Sequence, residues 1–269
     1  MKDILWQTIQ AVKATSPLVH NITNYVVMNN TANALLAAGA SPVMAHAHSE
    51  IEAMTGIASA LVINIGTLDE YWVESMRRAV LEAEKLQKPW VLDPVGAGAT
   101  PYRDRVLEEL LKHKPTVVRG NASEILALAS KGTGTKGVDS INESTEALDA
   151  AIVLSKNTGA VICVSGAEDL LVQQAQGLSI TNGHPLMAKI TGMGCTATAL
   201  IGACCAVLPA QPLLATAAAM ALMGIAGEMA AEKSAGPGSL QLHFLDMLHT
   251  LSENDFMQRL KLKQLDAAF

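Results

Sequence analysis

Apolar positions recur at helical spacing over residues 3–14 and again over 24–38, where Gly39 follows as a helix-ending residue. Beyond that point the pattern alternates. Short apolar runs at 42–44, 61–65, 90–92, 116–118 and 161–164 predict buried strands, and helical patterns fill 68–86, 102–112, 123–129 and 144–157. Buried strands alternating with helices predict a parallel sheet covered on both faces, an α/β fold. After Val164 the rhythm changes. Residues 169–180 offer two strand-like pieces around Gly177, an antiparallel sheet edge, and helices are expected from Gly194 to the end. No linker rich in Pro, Gly or Ser divides the chain, so residues 1–269 are expected to form one domain. The loose stretch 131–139 joins two helices inside the repeat.

Composition narrows the class. Half of the residues are hydrophobic but only 3% are aromatic, and 42 of the 269 are Ala. Such a chain can bury a large core, which excludes disorder. A net charge of -6 with scattered Lys and Arg gives no cationic stripe for nucleic acid. Cys163, Cys195, Cys204 and Cys205 form no CxxC pair, and three of them crowd into eleven apolar residues, so reduced thiols and a cytoplasmic setting are expected. Residues 1–16 lack the continuous apolar run of a signal peptide. The uncharged stretch 190–227 is long enough to span a bilayer. Pro209 and Pro212 cut it, polar residues interrupt it and no aromatic belt flanks it, so buried helices rather than a membrane span are expected.

In an open α/β sheet, ligands bind beyond the carboxyl ends of the strands. Four segments place polar groups there. Residues 92–100 (LDPVGAGAT) end a buried strand in Asp93 and continue as a Gly-rich loop. Residues 118–124 (VRGNASE) put Arg119 at a strand end and Glu124 in the first turn of a helix. Residues 164–168 (VSGAE) bring Ser165 to another strand end. Residues 189–196 (KITGMGCT) form a glycine-rich turn opening a helix, where free N–H groups favour an anion. Asp93 and Glu124 could share a divalent cation beside phosphates. Glu124 also stands three residues after Asn121, in the capping-box position. Cys195, beside free N–H groups, is expected to have a lowered thiol pKa, although a small buried Cys in an apolar run is the commoner case.

Other motifs carry less. GxGxxG at 132–137 follows a helix rather than a strand, so the dinucleotide context is missing, and no GxxxxGK[ST] occurs. His46 and His48 with Glu50 and Glu52 have a weak metal spacing. His20, Asn21 and Asn24 follow an expected edge strand and either face a ligand or cap the next helix.

Taken in order, SPLVHNITN (16–24), GASPVM (39–44), DPVGAGAT (93–100), RGNASE (119–124) and TGMGC (191–195) resemble the hydroxyethylthiazole kinases of the ribokinase-like superfamily. The likeness runs from about residue 16 to GPGS at 236–239, nearly the whole chain. It implies a three-layer sandwich with a mostly parallel central sheet flanked by helices. It also implies ATP-dependent, Mg2+-dependent phosphorylation of the hydroxyl of 4-methyl-5-(2-hydroxyethyl)thiazole in thiamine salvage, and a homotrimer with sites between subunits. By position, Asp93 and Glu124 would handle magnesium and phosphates, with Asp93 also catalytic, Arg119 and Ser165 would contact ATP, and Met44 and Gly192 would border the thiazole. Asn24 would lie near the phosphates or the substrate. Gly194 and Cys195 would complete the catalytic turn, with Cys195 where the wider superfamily has an Asp base. Within the superfamily the rival is another vitamin-precursor kinase acting on a pyrimidine or pyridoxal alcohol; outside it, a cysteine hydrolase and a non-catalytic small-molecule binder stay open.

Overall fold

The structure is a computed structural model and describes residues 1–133 and 143–265. It opens with α1 (Lys2–Thr15), β1 (Leu18–Ile22), α2 (Met28–Ala38), β2 (Ser41–Val43) and α3 (Ile51–Ile57). The alternation continues through β3 (Ala60–Asn64), α4 (Glu70–Lys85), β4 (Trp90–Asp93), α5 (Pro101–Leu111), β5 (Val117–Asn121), α6 (Ala122–Thr133), α7 (Glu143–Thr158) and β6 (Val161–Ser165). A hairpin follows, β7 (Asp169–Gln173) and β8 (Gln176–Ile180), then a short 3-10 helix (Pro185–Lys189). The chain ends in α8 (Met193–Val207), α9 (Pro212–Ala231), α10 (Pro237–Thr250), α11 (Glu253–Arg259) and β9 (Leu262–Gln264).

Among the described residues the strands form a nine-stranded sheet in the order β2-β1-β3-β4-β5-β6-β7-β8-β9. Pairing is parallel from β2 to β6 and antiparallel from β6 onward. Successive side chains of each strand feed opposite cores, as the two-residue period requires. Val19, Val62, Val91, Val117 and Val161 join the helices α1, α2, α8, α9 and α10 on one face. Leu61, Ile63, Trp90, Leu92, Val118 and Ile162 join α4, α5, α6 and α7 on the other. The result is the expected three-layer α/β sandwich.

Small side chains concentrate in the first face. The α9 helix is long and apolar enough to cross a membrane, yet 83% of its most apolar 18-residue window is buried inside the protein. A Cβ on Gly202 of α8 would stand 2.7 Å from Val62 of β3, so the helix backbone lies directly on the sheet. Ala203 is buried within one copy of the chain. Its close packing is therefore internal and does not form a subunit contact.

Several elements differ from the sequence reading. The helix expected from residue 24 starts at Met28, because 24–27 form a turn that frees Asn24. The strand carrying His20 lies between β2 and β3 rather than at the edge. The helix α3 and the closing strand β9 were not expected at all, being short segments without a clean period. The GxGxxG motif, apart from its first two residues, lies outside the described residues.

Candidate active site

From β1 the chain crosses through α2 to β2 on one side, then returns to β3 on the other side of β1. In such a sheet the crevice for ligands opens where the strand order reverses, at the carboxyl ends of β1 and β3. Four polar side chains that a core would reject gather there. Asn64 ends β3 and is the registered neighbour of Asp93, which ends β4. Asn64 Nδ2 donates to Asp93 Oδ2 at 2.7 Å, and Thr198 Oγ1 of α8 donates to the same oxygen at 2.9 Å. Asn24, released by the turn after β1, donates from Nδ2 to Asn64 Oδ1 at 2.9 Å and to Cys195 Sγ at 3.6 Å. Asp93 is only 1% exposed, and its Oδ1 has no hydrogen-bond partner. Burial pushes its pKa up to about 6, against the opposing pull of the Arg119 charge and the Thr198 and Asn64 hydrogen bonds.

The first turn of α8 closes the other side. Gly192 has φ 84 and caps the helix without a side-chain hydrogen bond, so the N–H groups of the first turn keep free donor capacity. A Cβ on Gly192 would approach Val27 to 2.8 Å. A Cβ on Gly194 would stand 2.5 Å from Arg119 Nη1, so the guanidinium rests against the helix backbone at a spot only glycine leaves open. Arg119 Nη2 donates to Ser165 Oγ at 2.6 Å across the neighbouring strands β5 and β6, while its Nε is buried without a partner. Beside this pair a cleft of about 680 Å³ opens. Arg119, Ser165, Gly166, Asp169, Gly192 and Gly194 border its polar end, and Met187, Ile190, Met220 and Met223 supply apolar wall. Asp169 holds the turn after β6 by accepting from the Gly166 N–H at 3.0 Å, and burial raises its pKa to about 6.

The structure thus brings Asn24, Asp93, Arg119, Ser165, Gly192, Gly194 and Cys195 around one helix start. Glu124 stands beside them in a structural part. Its Oε2 accepts from the Asn121 N–H at 2.9 Å while Asn121 Oδ1 accepts from the Glu124 N–H at 2.9 Å, a reciprocal capping box. Its Oε1 accepts from the Gly96 N–H at 3.0 Å, tying α6 to the loop that follows Asp93. Met44 does not border the cleft. It follows edge strand β2, three strands from β4, which at about 4.8 Å per strand is a lateral offset of roughly 14 Å.

Three expectations are corrected. Cys195 lies at the helix start, but burial, aided by the charge of Asp93, pushes its thiol up to about 11 rather than down. The N–H groups of one helix end do not offset removal from water. This takes the thiolate away from the cysteine-hydrolase reading. His20 does not face a ligand. It is buried between Ala45 O, 2.8 Å from Nε2, and Thr55 Oγ1, 3.1 Å from Nδ1, and burial lowers its pKa, so Nε2 donates from a neutral ring. Asn21 is likewise buried, donating to Val19 O at 2.9 Å. His46 packs on Trp72 and His48 stacks on Tyr71, and among the described residues no group of three or more His, Cys, Asp or Glu could hold a metal ion.

The sequence reading missed three residues. Asn64 was detectable as the polar end of the apolar run 60–64 at a strand terminus. Thr198 is one helical turn from Cys195 but reads as core polarity, and nothing in the sequence marks Asp169 as part of the cleft.

Comparison with known proteins places this architecture. The model of the hydroxyethylthiazole kinase family matches residues 9–254. The chain belongs to that family. It is 57% identical over 259 residues to the hydroxyethylthiazole kinase of Syntrophus aciditrophicus (strain SB), covering 96% of each chain. It is 54% identical over 258 residues to that of Leptospira biflexa serovar Patoc, again over 96% of each. A solved hydroxyethylthiazole kinase from Pyrococcus horikoshii OT3 superimposes with a TM-score of 0.92 at 42% identity, covering 98% of this chain and all of that one. A ribokinase-like superfamily protein of Enterococcus faecalis V583 shares the fold at 14% identity and TM-score 0.66, covering 92% of this chain and 94% of that one.

Proposed function

We propose that this kinase transfers the γ-phosphoryl group of ATP to the hydroxyl of 4-methyl-5-(2-hydroxyethyl)thiazole at the start of α8, the thiazole salvage step of thiamine synthesis. The observation that carries this reading is Asp93, a carboxylate with one buried oxygen unpartnered, set against an open helix start at the end of a nucleotide-sized cleft. Arg119 and Ser165 at the polar end of the cleft suit the phosphates, with Arg119 supplying a fixed cation and the α8 N–H groups receiving the transferred group. The Met-rich wall suits the base.

The residues also suit magnesium. Asp93 Oδ1 is a buried carboxylate oxygen without a hydrogen-bond donor, and Glu124, both of whose oxygens already hold backbone N–H groups, would join through water. Bound magnesium supplies charge neutralisation on the phosphates. The chain's own residues orient the acceptor. At neutral pH Cys195 is a thiol, so it positions the alcohol beside Asn24 rather than taking its proton. A loose phosphoryl-transfer transition state asks little basicity of the attacking hydroxyl.

Met44, just after β2, borders the thiazole from the β1–β2 side of the site, the strand pair that leads into Asn24. The family resemblance supports a homotrimer in which an exposed edge of one copy, such as β2, borders the site of another. Tyr25 packs tilted on Trp72, which packs tilted on His46 just beyond β2, and Tyr25 and Val26, 57% and 62% exposed, supply apolar contact surface. Four cysteines without a disulfide suit a reducing, cytoplasmic setting. The test is product formation from ATP, magnesium and hydroxyethylthiazole against a pyrimidine alcohol, alongside light-scattering mass. Turnover of the thiazole alone by a trimer is expected; preference for the pyrimidine, or full activity as a monomer, overturns the corresponding part.

A further inference from the structure

We infer that Arg103, on the first turn of α5, is a positioning residue for phosphoryl transfer, clamping the loop after β3 to the loop after β4 so that Asn64 and Asp93 hold their geometry. The inference rests on the site proposed above. Arg103 does not line the cleft and makes no hydrogen bond to Asp93 or Cys195. Its Nη1 instead donates to Ile65 O and, at 2.8 Å, to Val95 O, while Nη2 donates to Gly66 O at 2.8 Å. One planar guanidinium thus joins main-chain carbonyls from two loops that the strand ladder no longer holds together beyond the Ile65 N–H to Asp93 O hydrogen bond.

Both loops lead directly to reacting groups. Ile65 and Gly66 follow Asn64, and the Gly66 N–H donates to Asn64 Oδ1 at 2.9 Å. Gly66 also lies so close to Asn24 that an added Cβ would stand 2.6 Å from its Nδ2, the atom that donates to Cys195. Val95 is two residues beyond Asp93. Arg103 is itself fixed, since Thr100 Oγ1 caps its backbone N–H at 3.3 Å and the adjacent Asp104 accepts from the Gly98 N–H at 2.9 Å. The nucleotide end of the cleft, on β5 and β6, is outside this clamp. A lysine keeps the charge but presents one point donor where the three carbonyls need a fork.

The experiment compares Arg103→Lys and Arg103→Ala with the wild type and Asp93→Asn. Loss of the clamp should lower kcat roughly 10- to 100-fold, the scale of a misplacement near 1 Å, with the KM for ATP changed by less than about twofold because Arg119 and Ser165 are untouched. Millimolar guanidinium added to Arg103→Ala should restore part of kcat, whereas equimolar urea should not. Should Arg103→Ala fail to fold, Arg103→Lys decides by its kcat against KM split. Wild-type kcat in Arg103→Lys, equal damage to kcat and the ATP KM, or a folded Arg103→Ala indifferent to guanidinium overturns the inference. An active Asp93→Asn would instead sink the site reading on which it rests.

Discussion

The two sides of the α8 start are built differently. On the Asp93 side, Asn24, Asn64 and Thr198 are buried, saturated with one another and closed to water, and one carboxylate oxygen is left over. On the Arg119 side, the polar groups border an open cleft, and the guanidinium is anchored by one serine and a glycine-sized recess. A dry, preorganised pocket costs stability and strengthens electrostatics acting on the reaction, whereas a wet cleft binds. The contrast predicts that substitutions on the first side damage turnover and those on the second damage nucleotide affinity.

The sharpest way to break the comparison is Asp93→Asn. It should reduce kcat by about 1000-fold, a loss on the scale of removing a charge-stabilising group, with affinity for a non-hydrolysable ATP analogue nearly unchanged by calorimetry. The same variant should be more stable. Asp93 has a folded pKa of about 6, above the ordinary carboxylate value of 3.8. Its stabilising contribution is therefore complete below the unfolded value and is lost as pH rises through about 6. Above that pH the permanently neutral Asn should gain about 1–3 kcal/mol in denaturant unfolding.

Gly194→Ala comes next, since its Cβ would displace Arg119. The KM for ATP should rise roughly 10- to 100-fold, the worth of a charge-assisted contact, while kcat at saturating ATP falls much less. A smaller effect follows from competition between proton and cation at Asp93. Apparent magnesium affinity should weaken up to about tenfold per pH unit below about 6 and level off above it. Ser165→Ala removes one hydrogen bond to Arg119 and should raise the ATP KM about fivefold. Least visible is Cys195. With its thiol raised to about 11, iodoacetamide should label the folded protein slowly at pH 7, with labelling climbing steeply toward pH 10. Rapid labelling at neutral pH would restore a thiolate to the site.

Much of the fold was legible because strand and helix periods are local. The parallel alternation, the hairpin at 169–180 and the burial of the small-residue helices all follow from apolar spacing along the chain. Segments of three to seven residues, such as α3 and β9, are too short to show a period, and they form because the sheet edge and the neighbouring helix offer partners. At the site, Asp93, Arg119 and Ser165 were legible as polar residues ending buried strands. Asn64 has the same signature. Thr198 and Asp169 do not, since their significance is only that folding puts them beside Asp93 and Arg119.

Glu124 and Cys195 mark the boundary most clearly. Each sequence motif was compatible with two chemistries, cation ligand or helix cap for the first, nucleophile or buried thiol for the second. The capping box around Asn121 shows that Glu124 does cap its helix, and burial shows which way the Cys195 thiol shifts; both depend on which groups lie within about 3–4 Å. The sequence by itself determined the main strand and helix alternation, the layered α/β class and the family, because these depend on side-chain period and residue identity. Only the tertiary structure decided which carboxylate keeps a free oxygen, which way the Cys195 proton equilibrium shifts, and that the strand before Met44 stands three strands from that of Asp93. Hydrogen-bond occupancy, desolvation and distance across a sheet are properties of neighbours in space rather than of neighbours along the chain.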